Sequence, residues 1–125
     1  MVFASGKREV FFHPELYTKT FDYLGSLKKR LIPRQINMKI TLNAITKVAS
    51  AYYKSNDKGH VLFGKFSTNG KMVEMEMKVR VGSRGNRKYI GNMKLISLDK
   101  GNTFNGMLTK KDGEQLKVSL RKQTQ

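Results

Sequence analysis

Residues 60–81 read HVLFGKFSTNGKMVEMEMKVRV, and this stretch decides the fold class. Asn69-Gly70 is the strongest short-range hairpin signal, because a two-residue type I′ turn needs positive φ at both central positions. On each side of it apolar and polar residues alternate with the period of a half-buried strand. A turn at Asn69-Gly70 sets Thr68 against Lys71, Phe66 against Val73, Gly64 against Met75 and Leu62 against Met77. One face then carries Leu62, Gly64, Phe66, Val73, Met75, Met77 and Val79, all apolar or small. The other carries Val61, Phe63 and Lys65 against Glu74, Glu76, Lys78 and Arg80. Turn chemistry and hydrophobic pattern agree on an antiparallel hairpin with one buried face.

Downstream, residues 82–88 (GSRGNRK) read as a loop and 89–98 as a strand, turned by Asp99-Lys100-Gly101-Asn102. Residues 103–110 and 115–122 form a last hairpin. A two-residue Asp112-Gly113 turn would oppose Leu116 to Thr109 and Val118 to Met107. A three-residue loop ending in Gly113 opposes Leu116 to Leu108, Val118 to Gly106 and Leu120 to Phe104. The second option gathers the apolar side chains on one face and puts Gly113 in a left-handed bulge position, so it is preferred.

Upstream, residues 7–12 (KREVFF) favour a short edge strand, and His13-Pro14-Glu15 reads as a helix start. Tyr17, Phe21, Leu24, Leu27 and Leu31 recur at helical spacing, with Gly25 as an interruption and Lys28-Lys29-Arg30 as a cationic helix end. After Pro33, Ile36, Met38, Ile40 and Leu42 alternate with polar residues as a strand. Asn43 suits the N-cap of a second helix with inner face Ile45, Val48, Ala49 and Tyr52, closed by Asn56-Asp57-Lys58-Gly59. The expected fold is therefore α+β: a single domain, 1–125, with a curved antiparallel meander of five C-terminal strands and one or two helices from the N-terminal half. Such an open meander leaves sheet edges, so a homo-oligomer is expected.

The 125 residues include 25 Lys and Arg against 9 Asp and Glu, a formal net charge of +16. Repulsion on that scale opposes compaction and points to a polyanionic partner. With no cysteine and only His13 and His60, neither a disulfide framework nor a zinc site is expected, and no cofactor. The N-terminal MVFASGKREV lacks the apolar stretch of a signal peptide and no segment is long and apolar enough to span a bilayer, so a cytoplasmic protein, neither secreted nor membrane-bound, is expected.

The cations lie at Lys28, Lys29 and Arg30, at Arg84, Arg87 and Lys88, at Lys117 and Arg121, and along strands at Lys65, Lys78, Arg80 and Lys94. That spread suits a sheet face following a phosphate backbone. Residues 82–88 offer two glycines, three cations and the Ser and Asn donors for phosphate oxygens, without the spacing of a nucleotide-binding loop. Rings that stack bases are sought beside them. Phe63 falls on the charged face, Tyr89 follows the basic loop, and Tyr52-Tyr53 cannot both point into a helix core. For Phe63 the alternative is burial under a helix or a second subunit, which the ordinary burial of aromatic rings favours.

Glu74-x-Glu76-x-Lys78 after a hairpin resembles PD-(D/E)xK nucleases, in which an acid across the hairpin shares one metal ion with the Glu. With Phe63 opposite Glu76, Asp57 stands six residues beyond, about 20 Å at strand rise, and Glu74 faces Lys65, so converging ligands are not expected. No zinc-finger spacing, heptad repeat, RNA-recognition strand or Gly-x-x-Gly clamp occurs. Small, basic, sheet-rich and cysteine-free, the chain is similar to phage and viral single-strand-binding proteins in general shape alone. The expected function is non-enzymatic, sequence-independent nucleic-acid binding in replication or recombination, with single-stranded DNA favoured and RNA or duplex open. A small basic structural or host-interaction inhibitor protein is the alternative, and a metal-dependent nuclease the remote one.

Overall fold

Side chains alternate inward and outward along the strands, with one interruption in the sixth, from Thr18 to the last pairing residue, Lys122. The computed structural model describes residues 17–83 and 85–123. Its strands are β1 (Thr18–Lys29), β2 (Ile32–Asn43), β3 (Val48–Ser55), β4 (Lys58–Asn69), β5 (Met72–Ser83), β6 (Asn86–Ser97), β7 (Thr103–Lys110) and β8 (Gln115–Lys122). Each pairs with the next, and β1 closes onto β8 from Tyr23↔Lys122 to Lys28↔Lys117. The result is a closed antiparallel barrel with no helix among the described residues.

The expected α+β fold is thus overturned. The stripe assigned to a first helix lies on β1, where Tyr23 and Leu27 are buried with Gly25 between them and Leu24 faces outward. Asn43 does cap: its Oδ1 accepts the amides of Ile45 and Thr46, both at 2.9 Å. The turn stops there, at Lys47 with φ 63°, and β3 follows with Ala49, Ala51 and Tyr53 inward and Tyr52 outward. The suggested strand at 7–12 and helix start at 13–15 lie outside the described residues. Closure also pairs the edges on which the expectation of an oligomer rested.

The decisive hairpin forms, but two residues out of the expected register. The turn is Gly70-Lys71, with Asn69 opposite Met72 and Gly70 at φ 64°, so Phe66 meets Met75, Gly64 meets Met77 and Phe63 meets Lys78. A shift of two preserves both faces, so the same side chains stay buried. The last hairpin has the preferred three-residue loop, Leu108↔Leu116, Gly106↔Val118 and Phe104↔Leu120, with Gly113 at φ 94°. Residues 82–88 are less a loop than a hairpin tip, since β5 runs to Ser83 and β6 starts at Asn86.

An eight-stranded barrel is just wide enough for side chains to fill it or to hold one small ligand. Here Met38, Ile40, Leu62, Met77, Met93, Leu95, Phe104 and Val118 fill the middle. Tyr23 packs edge-on against Phe104, ring centroids 5.6 Å apart. The outer wall carries Lys39, Glu74, Glu76, Lys78, Arg80, Lys94 and Lys117, the reverse of the apolar band on a lipid-facing barrel.

The β6–β7 turn is tied down by polar contacts. Asp99 accepts from the Thr103 amide at 2.9 Å, the Thr103 hydroxyl at 2.8 Å and the Ser97 hydroxyl at 2.7 Å, and Tyr23 donates to the Gly101 carbonyl. The Thr103 amide first, then the two hydroxyls, hold the Asp99 carboxyl down at about 2 from an ordinary 3.8. A carboxylate favoured in the folded state stabilises it above the unfolded pKa and ceases to do so as pH falls through the folded one. Asp99→Asn is expected to lower the thermal midpoint at neutral pH, and the gap should close as pH falls from about 4 to about 2 in melts followed by circular dichroism.

Candidate nucleic-acid interface

On the outer wall of β3–β6, three exposed rings stand among cations. Along one row, Lys39 pairs with Tyr52, Tyr52 with Val61, Val61 with Arg80 and Arg80 with Tyr89. The next row runs Ser50, Phe63, Lys78, Asn92. Directly opposed side chains on one sheet face sit about 5 Å apart, so Tyr52 stands beside Lys39, Tyr89 beside Arg80 and Phe63 beside Lys78, with Val61 between Tyr52 and Arg80. Phe63 is 57% exposed, Tyr52 45% and Tyr89 37%. No helix or other part of the described chain covers Phe63, and a shallow groove lined by Phe63, Lys65, Glu76, Lys78, Arg80 and Asn92 opens beside it.

Each ring is placed by a local device. Tyr89 owes its outward position to a β-bulge: Val79 pairs with Gly91 but Arg80 with Tyr89, leaving Ile90 as the extra residue. Without that insertion strict alternation would turn Tyr89 inward. Its hydroxyl donates to Asn92 Oδ1 at 3.0 Å, which orients the ring. The Tyr52 ring lies over Gly59, where a Cβ would come 3.0 Å from the Tyr52 hydroxyl. Phe63 flanks Gly64, whose backbone presses against that of β5.

The face has acidic limits. Lys39 is neutralised by Asp22 at 2.9 Å, and the row Lys65, Glu76, Lys94 holds a carboxylate between two lysines. Glu74 faces Ser67 rather than Lys65 in the observed register. Asp57 remains at the far turn of β4, and no group of three or more His, Cys, Asp and Glu among the described residues could hold a metal ion.

The predicted site residues divide into three sets. Phe63, Lys65, Lys78, Arg80, Tyr89 and Lys94 share the β4–β6 wall, with Arg87 and Lys88 on the adjoining β5–β6 tip. Lys29 and Arg30 instead line the barrel mouth. Lys28, Lys117 and Arg121 lie on the β8–β1 side, Lys28 opposite Lys117, away from the aromatic face. Arg84 lies outside the described residues. Tyr52 enters the site because alternation on β3 separates it from the buried Tyr53, and Lys54, next outward on the same strand, extends the cationic margin. Compared with protein-family models, curated proteins and solved structures, the chain matches none.

Proposed function

We propose that the chain binds single-stranded nucleic acid without sequence preference and without catalysing a reaction on it. The observation that carries this reading is the direct pairing of exposed Phe63 with Lys78 and of exposed Tyr89 with Arg80 on one wall, with exposed Tyr52 in the same row as Arg80 and Tyr89. Stacked rings accept any base, because every base has a π-face, while the cations follow the phosphates. An exposed ring is of little use against duplex DNA, whose bases are already stacked, and a sheet wall of this kind offers no helix to a major groove. The net charge of +16 supplies the long-range attraction.

The direct test is fluorescence anisotropy on unlabelled-competitor series of single- and double-stranded oligonucleotides across a salt titration. If about four phosphates are neutralised on this wall, the log–log slope for single strands should be about −3. A slope near zero, or duplex bound as tightly as single strand, would count against the reading. Incubation with Mg²⁺ and no loss of oligonucleotide length separates binding from nuclease chemistry. The alternative of a protein-docking module draws on exposed Ile96 and Leu98 beside β7; it predicts association with a protein through an apolar contact that added salt does not weaken.

A further inference from the structure

One end of the barrel is open. The β1–β2, β3–β4 and β7–β8 turns, with Ile90 of β6, surround a cavity of about 600 Å³, within the range that holds small ligands. Lys29, Arg30, Arg34, Lys58 and Lys110 line it, against one carboxylate, Glu114. Glu114 is shared between Lys29 and Lys110, the latter at 3.1 Å. Arg30, Arg34 and Lys58 have no carboxylate partner among the described residues; Arg34 reaches only the Ser55 hydroxyl, at 3.4 Å. The walls below are apolar: Leu27, Ile90, Leu108 and Leu116.

Tyr53 also lines this cavity, is 1% exposed, and its hydroxyl has no hydrogen-bond partner among the described residues. A buried hydroxyl left unsatisfied is costly. The ring is fixed by stacking on His60, 4.5 Å between centroids, and burial keeps His60 towards its neutral form, so the imidazole adds no charge there. Unneutralised cations at the rim, apolar walls and a spare donor at depth are complementary to one kind of molecule.

We infer that the barrel mouth is a binding site for a small organic anion, an acidic headgroup on a short apolar body. Arg34 and Lys58 take the outer anionic oxygens, the Tyr53 hydroxyl donates to the innermost oxygen of the same headgroup, and Leu27, Leu108 and Leu116 take the apolar body. Glu114 competes with the ligand for Lys29 and Lys110. The site is separate from the outer-wall interface and does not depend on it.

The test is calorimetry and amide NMR on the full chain with octanoate, octyl phosphate, octanol, acetate and inorganic phosphate as probes. The two amphipathic anions distinguish a carboxylate from a phosphate headgroup, and saturable shifts should centre on Leu27, Tyr53, His60 and Leu108. Loss of one charge-assisted contact should weaken binding about tenfold, so octanol should bind at least that much more weakly, as should the Arg34→Gln, Lys58→Gln double variant. Glu114→Gln should tighten binding. Tyr53→Phe should weaken binding with no fall in thermal midpoint, since the hydroxyl it removes has no partner to lose. The inference is overturned if octanol matches octanoate, if shifts fall on the outer wall, if a single-stranded oligonucleotide displaces the anion, or if Tyr53→Phe binds normally but melts lower.

Discussion

A chain carrying Phe63→Ala, Lys78→Gln and Arg80→Gln is expected to bind single-stranded DNA about 100-fold more weakly than the parent while unfolding at nearly the same temperature. One stacked base is worth about 1–3 kcal/mol, which by itself spans roughly fivefold to 150-fold. Each cation that meets a phosphate adds about 0.7 to the magnitude of the salt slope for single strands, so losing two should flatten it by about 1.4. These contributions can be separated: Phe63→Ala should weaken binding at every salt concentration and leave the slope unchanged, whereas the two charge changes should alter the slope. All three side chains are exposed, so their removal opens no cavity, and such surface changes usually fall within about 0.5 kcal/mol. Lys28→Gln with Lys117→Gln removes the same charge from the β8–β1 side and serves as the control for net charge alone. If that pair weakens binding as much as the triple change does, recognition is diffuse attraction to a basic particle and the aromatic wall has no special part in it.

The contrast between the two halves of the chain shows what local sequence carries. Around Asn69-Gly70 and Gly113, turn residues and strict alternation coincide, and the strands follow. In β1 the positions 17, 21, 24, 27 and 31 satisfy a helical period, yet Phe21, Tyr23 and Leu27 satisfy a strand period equally well once Gly25 is counted as an inward position. Nothing nearby in the sequence chooses between them. The choice is made by β8, nearly a hundred residues away, which needs β1 as its partner to close the barrel. Asn43 misleads for a related reason. Its side chain makes the amide bonds of an N-cap, but the same chemistry serves a single turn, and the alternation of Ala49, Ala51 and Tyr53 then extends the chain.

The candidate site was legible to the same degree. The side to which Phe63, Lys78 and Arg80 point follows from parity alone, and parity survives a register error of two. Which residues oppose them does not: Phe63 meets Lys78 instead of Glu76, and this puts a cation directly beside the ring and shifts the acid to the diagonal position in the same groove. The outward Tyr89 depends on a bulge at Ile90 that no residue type announces. The mouth is the least legible feature, because Arg34, Tyr53 and Lys58 on β2, β3 and β4 meet Lys110 on β7 only when the barrel closes.

Gly64→Ala should be among the most damaging single changes, costing roughly 3 kcal/mol in urea unfolding. A Cβ at residue 64 would stand 1.9 Å from the Glu76 carbonyl oxygen and 2.8 Å from Met77 Cα. Both atoms are backbone, and Cβ has no rotamer that could relieve the contact, so β4 and β5 must part. Gly25 and Gly106 meet their neighbours in the same way, each 1.8 Å from a carbonyl oxygen; such inward glycines mark the sharp strand bends that let a sheet close on itself. Gly70→Ala is the comparison: nothing lies within 4 Å of its Cβ, and only its φ of 64° resists substitution, a cost of about 1–2 kcal/mol. Equal urea midpoints for the two variants would mean that turn conformation, and not the approach of the strands, limits the fold. A larger loss at Gly64 would mean that the close approach of β4 to β5 limits the fold, at the glycine that Phe63 and Lys65 of the outer wall flank.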